Sequence, residues 1–233
     1  MHPTMIEANL QGLTAIVPAA GIGSRMGAEC PKQYLQLAGK TILEHTLARL
    51  LSHPAIDHVV VALAPNDQWF DTLAIAVDPR ILRVDGGAER AFSVLNALDV
   101  VQGEWVLVHD AARPCLTHRD LDALIAAAIP CGGAILGSRV RDTMKRTDGA
   151  GNIVATVERA QLWHALTPQM FPTTPLKQAL EQGLAQGATL TDEASAMERA
   201  GFAVQMVEGR ADNIKVTRPE DLALAALFLH QQA

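Results

Sequence analysis

The sequence predicts an α/β fold in which a parallel sheet is covered by helices on both faces. Short apolar, β-branched runs alternate along the chain with segments of helical periodicity. With 233 residues, 49% of them hydrophobic and 19% charged, the chain can bury a substantial core within one domain. Several predicted strands end in glycine or polar residues, and in such sheets ligands bind beyond the carboxyl ends of strands. We therefore expect a single domain over residues 1–233.

The first half of the chain supplies four strand–helix pairs. The predicted strands are Leu13–Val17, Ile56–Ala64, Ile81–Val84 and Trp105–Val108. The predicted helices are Thr41–Leu51, Asp67–Ala76, Arg90–Val101 and Leu121–Ile129. In Thr41–Leu51, for example, leucines at 43, 47, 50 and 51 form one apolar helical face.

The second half predicts further elements of the same domain. The predicted strands are Gly132–Gly137, Ala203–Glu208 and a short one at Asn213–Val216. The predicted helices are Pro175–Gln186, Asp192–Ala200 with Thr191 as its N-cap, and Pro219–His230 with Pro219 in its first turn.

The segment Val140–Leu162 interrupts this alternation. Two strand-like runs flank a turn at Asp148–Gly151, which predicts a protruding β-hairpin. Because a two-stranded hairpin is marginal alone, it should pack on another surface, and a second copy of the chain is the simplest candidate. We expect residues 139–162 to form a dimerisation arm within the domain.

A glycine-rich loop follows the first strand, between Pro18 and Lys32. Glycines at 21, 23 and 27 allow the backbone to approach a ligand and to turn N–H groups toward an anion. Arg25 and Lys32 add two positive charges. N–H donors beside a guanidinium and an ammonium suit a polyphosphate.

Two familiar phosphate loops do not fit this stretch. A dinucleotide fingerprint needs its third glycine at position 26, which is Met26, and an acidic residue ending the second strand, which is absent. A Walker loop needs Gly-Lys-Ser/Thr, which is also absent. The loop is therefore a phosphate loop of another kind.

Composition excludes several function classes. The net charge of −6, from 19 basic and 25 acidic residues, argues against broad nucleic-acid binding. Cys30, Cys115 and Cys131 are odd in number and form no CxxC motif, so neither a disulfide framework nor a zinc site is predicted. The N-terminus lacks the pattern of a signal peptide, and no apolar run reaches the length of a membrane helix. We expect a soluble cytoplasmic protein without a membrane partner.

An acidic residue directly follows the buried strand Trp105–Val108. Asp110 is held there at the sheet edge, where hard divalent cations find oxygen ligands. Asp212 is a second candidate ligand with weaker support. We interpret His109 as a packed or hydrogen-bonded neighbour, because no second histidine stands at ligand spacing.

Several motifs together carry a family resemblance. Pro18-Ala19-Ala20-Gly21-x-Gly23-x-Arg25-Met26, followed by Pro31-Lys32-Gln33, resembles the signature of sugar-nucleotide-type nucleotidyltransferases. Further blocks are DGG-x-ER-x-x-SV at 85–94, HDAARP at 109–114, RDTMKR at 141–146, LWHALTPQ at 162–169, TDEA at 191–194 and GRADNIKVTRPEDL at 209–222. These blocks cover nearly the whole chain, which resembles the 2-C-methyl-D-erythritol 4-phosphate cytidylyltransferase family among the polyol-phosphate cytidylyltransferases.

The resemblance implies a fold and an activity. The fold is a Rossmann-like three-layer sandwich of the nucleotide-diphospho-sugar transferase type. The activity is transfer of the cytidylyl group of CTP to 2-C-methyl-D-erythritol 4-phosphate, with release of pyrophosphate, in non-mevalonate isoprenoid precursor biosynthesis. Mg²⁺ or another divalent cation is the implied cofactor, and a homodimer the implied assembly.

The resemblance also implies roles for individual residues. Arg25 and Lys32 would stabilise the transition state at the α-phosphate. The implied CTP-binding residues are Pro18, Ala19, Ala20, Gly21, Gly23, Gly86, Ser93, Asp110 and Ala111. The implied substrate-binding residues are Arg113, Thr143, Arg159 and Lys215, of which Thr143 and Arg159 lie on the arm and would reach the partner's site. Asp110 would lie beside the metal, and Asp212 is its possible second ligand.

Three alternatives remain open at this point. A ribitol-5-phosphate cytidylyltransferase would share the nucleotide half, although residues 141–159 and 212–215 fit methylerythritol phosphate better. A nucleotide-binding protein without turnover would release no pyrophosphate. A dehydrogenase is disfavoured by Met26 and by the missing ribose-binding acid, and NADH fluorescence would test it.

Overall fold

The computed structural model describes residues 12–21 and 30–232. The strands are β1 (Leu13–Pro18), β2 (Gln36–Leu37), β3 (Lys40–Thr41), β4 (Ile56–Leu63), β5 (Ile81–Asp85), β6 (Trp105–Val108), β7 (Ala134–Arg139), β8 (Met144–Thr147), β9 (Ile153–Val157), β10 (Trp163–Pro172) and β11 (Gln205–Glu208). The helices are α1 (Ile42–Leu51), α2 (Arg90–Leu98), α3 (His118–Cys131), α4 (Thr173–Ala185), α5 (Glu193–Arg199) and α6 (Glu220–Gln231).

Seven strands form one sheet in the order β11-β7-β10-β6-β1-β4-β5. The pairs β1–β4, β1–β6, β4–β5 and β11–β7 are parallel, whereas β10 runs antiparallel to both of its neighbours. Successive side chains of β1 point to opposite faces, so that Val17 packs with α1 and α3, and Ile16 packs with α2, α4 and α5. Helices therefore cover both faces of the sheet, and the predicted α/β class is confirmed.

The antiparallel strand β10 was not predicted. Two prolines within it, Pro168 and Pro172, indicate a loop rather than a central strand, because proline cannot donate to a sheet ladder. The structure accommodates Pro168 at a register shift between Ala165 and Gln169, where the pairing with β7 is interrupted. The sheet is therefore parallel in the main and mixed around β10.

The predicted helix Asp67–Ala76 is wrong. The segment instead forms two short 3₁₀ turns, Phe70–Thr72 and Ala74–Val77. Leu73, between the two turns, is extended, with φ −81° and ψ 139°, and this interrupts the helical path. At the start of this segment, the Asp67 carboxylate accepts the backbone N–H groups of Trp69 and Phe70, which favours a turn.

Two smaller predictions are also wrong. Asp192, not Thr191, caps helix α5, because its carboxylate accepts the backbone N–H three residues further on. Asn213–Val216 is not a strand, although the Val216 N–H donates to the Ala112 carbonyl at 2.8 Å and ties the segment to the loop after β6. The other predicted elements match the observed ones to within three residues at either end.

The predicted hairpin is present as β8 and β9, which pair only with each other. It is inserted between β7 and β10, and the Val140 N–H donates to the Leu162 carbonyl at 3.1 Å across its base. Its apolar side chains Ile153 and Val154 are 65% and 58% exposed. None of the helices within the described residues has the length and apolar character needed to span a membrane.

Candidate active site

A cavity opens at the carboxyl edge of β1, β5 and β6. Its walls come from the loops that follow these three strands and from the segment after β11. The lining residues are Pro18, Ala19, Ala20, Gly21, Lys32, Gln33, Gly87, Ala88, Glu89, Arg90, Ser93, Asp110, Ala111, Ala112 and Lys215. The cavity therefore lies at the edge of the sheet where the sequence predicts that a ligand binds.

The cavity brings together most of the residues predicted to bind CTP, one predicted catalytic residue (Lys32) and one predicted substrate-binding residue (Lys215). Those that line it are Pro18, Ala19, Ala20, Gly21, Ser93, Asp110, Ala111, Lys32 and Lys215. Gly86 and Arg113 lie directly behind its walls. Thr143 directly precedes β8 and Arg159 follows β9, so both lie toward the base of the exposed arm. There Arg159 Nη1 donates to the Arg141 carbonyl. Gly23 and Arg25 lie outside the described residues.

Gly86 allows the loop after β5 to pass close to the loop after β1. Its N–H donates to the Leu63 carbonyl at 2.6 Å. A Cβ atom at Gly86 would lie 2.4 Å from Ala20 Cβ and 3.0 Å from Ser93 Oγ, so a side chain does not fit. The Gly87 N–H donates to Ser93 Oγ at 3.0 Å. The start of α2 therefore fixes the loop that forms this wall.

Lys32 and Gln33 begin a short 3₁₀ helix, Lys32–Tyr34, at the opposite wall. The buried amide of Gln33 donates to the Ala19 carbonyl at 2.6 Å, which joins this helix to the end of β1. Lys32 Nζ lies 3.4 Å from the Val216 carbonyl, beside the segment that carries Lys215. The two lysines thus enter the cavity from rigidly connected backbone.

Asp110 is the centre of a charged cluster. Its Oδ1 accepts from Arg90 Nε at 3.0 Å, and its Oδ2 lies 2.9 Å from Lys215 Nζ and 3.5 Å from Arg113 Nε. Arg90 in turn binds both oxygens of Glu193, at 2.6 and 3.1 Å. The three cations and two carboxylates of this cluster leave it a net charge of +1, since 3 − 2 = 1.

The surroundings of Asp110 keep it ionised. Burial by itself raises the pKa of this carboxyl, but the positive charges of Arg90, Lys215 and Arg113 outweigh burial and hold the pKa well below its usual range. The carboxylate is therefore a permanent anion that orients three cations. The excess positive charge favours an anionic ligand in the cavity.

His109 is packed rather than available as a ligand, as predicted. It is fully buried, its Nε2 contacts the Arg113 carbonyl at 3.0 Å, and its Nδ1 contacts Thr167 Oγ1 at 3.0 Å. A carbonyl can only accept, so Nε2 carries the proton and Nδ1 accepts the hydroxyl of Thr167. Burial lowers the pKa of His109 to about 4, and the ring is neutral at pH 7. Thr167 Oγ1 also accepts the Asp110 N–H, so that His109 positions the backbone of Asp110.

The remaining substrate and metal candidates lie around this cluster. Arg113 Nη1 donates to the Asn213 carbonyl at 2.7 Å, which anchors the segment before Lys215. The Asp212 carboxylate pairs with the Arg210 guanidinium and is not among the residues that line the cavity. Within residues 12–21 and 30–232, no group of three His, Cys, Asp or Glu side chains is placed to hold a metal ion.

A divalent cation would be held at this site jointly by a carboxylate and by phosphate groups of a bound ligand. Mg²⁺ usually keeps several waters and binds one or two carboxylates together with substrate phosphates. Asp110 offers one ionised carboxylate on the cavity wall. Both of its oxygens contact cations in this conformation, so an ion would have to replace one of the contacts with Arg90, Lys215 or Arg113. Asp212 does not offer a second one in this conformation, because Arg210 occupies it.

Sequence reasoning assigned no role to Arg90, Glu193, Gln33 or Thr167. Arg90 and Glu193 lie within the recognised blocks at 85–94 and 191–194, but 103 residues separate them. Local patterns cannot show that two such side chains meet. Gln169 of β10 binds the start of α5 through Asp192 and the Ala194 N–H, and this tertiary contact places Glu193 near Arg90.

An α/β sheet with a cationic, glycine-walled cavity at its carboxyl edge is typical of nucleotide-binding proteins. The profile of the family described as 2-C-methyl-D-erythritol 4-phosphate cytidylyltransferase matches residues 13–231. The chain belongs to this family.

Individual relatives agree with this assignment. A protein of that name from Aeromonas hydrophila subsp. hydrophila is 85% identical over 221 residues, covering 95% of this chain and 91% of the relative. The one from Tolumonas auensis is 62% identical over 224 residues, covering 96% and 99%. The crystal structure of the Francisella tularensis protein of that name superposes with a TM-score of 0.81 at 35% identity, covering 94% of this chain and all of the other.

Proposed function

We propose that this chain transfers the cytidylyl group of CTP to 2-C-methyl-D-erythritol 4-phosphate. The products are 4-diphosphocytidyl-2-C-methyl-D-erythritol and pyrophosphate, and the reaction is a step of non-mevalonate isoprenoid precursor biosynthesis. Family membership over residues 13–231 supports this proposal most strongly. A ribitol-phosphate cytidylyltransferase, the close alternative, is not favoured by the relatives.

The proposed reaction is an in-line displacement at phosphorus. An oxygen of the methylerythritol phosphate attacks the α-phosphorus of CTP, and the bond from that phosphorus to the bridging oxygen of the β-phosphate breaks. Pyrophosphate leaves with the bonding electron pair. The attacking oxygen is already anionic, so no general base is required and catalysis consists of positioning and charge stabilisation.

The roles of the lining residues follow from where they lie. The walls formed by residues 18–21 and by Gly86–Ser93 would hold the nucleotide, as would Asp110 and Ala111. Lys32 would stabilise charge on the α-phosphate together with Arg25. Lys215 and Arg113, which both face Asp110, would bind the phosphate of the second substrate.

A divalent cation, Mg²⁺ in the first instance, is part of this proposal. Asp110 would be its protein ligand after one of its contacts with Arg90, Lys215 or Arg113 is exchanged for the ion. When bound, the ion would neutralise charge on the CTP phosphates. A contribution from Asp212 stays a prediction. It requires that the Asp212 carboxylate exchange its contact with Arg210 for the ion.

We also infer a homodimer formed through residues 139–162. The arm exposes Met144, Ile153 and Val154, and a two-stranded hairpin with exposed apolar residues gains stability by packing on a partner. Thr143 and Arg159 would then reach the partner's cavity. A cytoplasmic location also stays a prediction, to which the free thiols of Cys30, Cys115 and Cys131 are suited.

Pyrophosphate release with two acceptors tests the substrate assignment. CTP, Mg²⁺ and the protein are combined in parallel with methylerythritol phosphate or with ribitol 5-phosphate. We expect release only with methylerythritol phosphate. Release only with ribitol phosphate would keep the nucleotide half of the proposal and overturn the other half.

A further inference from the structure

A buried ion pair connects helix α5 to the candidate active site. Glu193, the first residue of α5, is 1% exposed, and both of its oxygens accept from the terminal nitrogens of Arg90. The third nitrogen of that guanidinium, Nε, donates to Asp110 Oδ1 at 3.0 Å. Arg90 lines the cavity, whereas Glu193 does not. The three side chains therefore form a line from the protein interior to the cavity wall.

Stability alone does not account for such a pair. Transferring a carboxylate and a guanidinium from water into the interior costs about as much as their attraction returns, and apolar residues of similar volume often do as well. Burial acts to lower the pKa of Arg90, but the charges of Glu193 and Asp110 outweigh it and raise the pKa. Arg90 is thus always charged, and all three of its nitrogen groups have partners.

Glu193 itself is held in place by strand β10. The Gln169 side chain accepts the Ala194 N–H at 2.9 Å and donates to Asp192 Oδ2 at 2.9 Å. Strand β10 pairs directly with β6, which ends two residues before Asp110. The carboxylate of Glu193 is consequently fixed relative to Asp110 through the sheet and not only through Arg90.

We propose that Glu193 is a positioning residue for cytidylyl transfer. By holding both terminal nitrogens of Arg90, it aims Nε at Asp110 and keeps the guanidinium fork away from the phosphates of CTP. Arg90 then orients the carboxylate on which Lys215 and Arg113 converge. This inference rests on the proposed function, because it assigns Asp110 to the site of that reaction.

The substitution Glu193→Gln separates two effects. The amide keeps the size of the side chain but places an N–H donor against a nitrogen of Arg90. The Arg90 guanidinium therefore loses one of its two hydrogen bonds to residue 193. The net charge of the cluster also changes from +1 to +2, because one of its two carboxylates is neutralised. We expect kcat to fall about tenfold or more from misplacement of Asp110. The KM and Kd for CTP should fall or stay constant, because positive charge is added near its phosphates.

Two further variants complete the experiment. Glu193→Asp keeps the charge and withdraws the carboxylate by one methylene, so kcat should fall while the KM for CTP stays at the wild-type value. Met197→Ala, a fully buried position of the same helix, is the matched control for destabilisation. It should lower the melting temperature without changing kcat per folded enzyme.

The measurements are kcat, KM for both substrates, calorimetric Kd for CTP, and thermal unfolding of all four proteins. Wild-type kcat in Glu193→Gln, or an equal loss of kcat in Met197→Ala, overturns the positioning role. Wild-type kcat in Glu193→Asp overturns the geometric part, since charge alone would then suffice. Turnover of methylerythritol phosphate by the wild-type protein is measured first, before the variants are compared. Absence of that turnover would refute the proposed function itself.

Discussion

Replacing Asp110 by asparagine perturbs the centre of the charged cluster while preserving the size of the side chain. In the wild type, Arg90, Lys215 and Arg113 all lie within 3.5 Å of this carboxylate, whose side chain is 10% exposed. Each such pair has an attraction on the order of 4 kcal/mol at an effective dielectric of 20. The attraction of Lys215 is screened further, because its side chain is 40% exposed. Mutual repulsion of the cations opposes the sum once the anion is removed.

The net effect follows from measurements on comparable buried pairs. Removing one partner and leaving buried charge uncompensated costs about 3–5 kcal/mol. A loss of about 3 kcal/mol in a chain of this length lowers the melting temperature by about 6–12 °C. We therefore expect Asp110→Asn to unfold in that range below the wild type at pH 7, and to lose turnover because its cations are no longer oriented.

The pH dependence of unfolding gives this prediction its sharpest form. The pKa of Asp110 is lowered in the folded state, so between that pKa and the unfolded value near 3.9 the unfolded chain binds more protons. The stability that Asp110 contributes is thus fully present above about pH 5 and is lost as the pH falls through the lowered folded-state pKa. The difference between wild type and Asp110→Asn should be constant at neutral pH and shrink in acid.

The assay is differential scanning calorimetry of both proteins from about pH 8 down to about pH 2, which covers the range below the unfolded-state pKa of about 3.9 where the difference should shrink. Asp71→Asn is the matched control, because the Asp71 carboxylate also pairs with an arginine but is exposed to solvent. Exposed pairs contribute little, so this variant should unfold like the wild type. Equal stability of Asp110→Asn and wild type would refute the electrostatic reasoning.

Three other predictions concern the cavity and the arm. Lys32→Ala should lower kcat roughly a thousandfold with a small change in the Kd for CTP, because the charge acts on the transition state; unchanged kcat in steady-state assays would contradict this. Gly86→Ala should weaken CTP binding about tenfold by calorimetry, since its Cβ would lie 2.4 Å from Ala20 Cβ. Gly149→Ala, with no atom within 4 Å of the added Cβ, is its control and should bind normally. Mixing inactive Lys32→Ala with inactive Arg159→Ala should restore about one quarter of wild-type activity if sites are shared between subunits, and no recovery would exclude sharing.

The strands on either side of the cavity could be predicted because their patterns are local. Leu13–Pro18 and Trp105–Val108 are short, largely apolar runs, and glycine or polar residues follow each of them. Parallel pairing of β1 with β6 then brings the two loops to one edge. The cavity wall formed by residues 18–21, Asp110 and Ala111 follows from these two facts.

What could not be predicted depends on distant contacts. Strand β10 contains Pro168, and only its place between β6 and β7 makes an extended conformation favourable despite the lost donor. Asn213–Val216 has a strand-like alternation of apolar residues, yet it serves as a tether to Ala112. The pair of Arg90 and Glu193 depends on tertiary packing in the same way.

The most direct test of the proposed cytidylyl transfer follows the α-phosphorus of CTP. The protein is incubated with CTP labelled at the α-phosphate, Mg²⁺ and methylerythritol phosphate, and the products are separated. We expect the label to appear in 4-diphosphocytidyl-2-C-methyl-D-erythritol while the pyrophosphate is unlabelled, and Lys32→Ala to slow this transfer. Label that remains in CTP, or that moves to ribitol phosphate in preference, would contradict it.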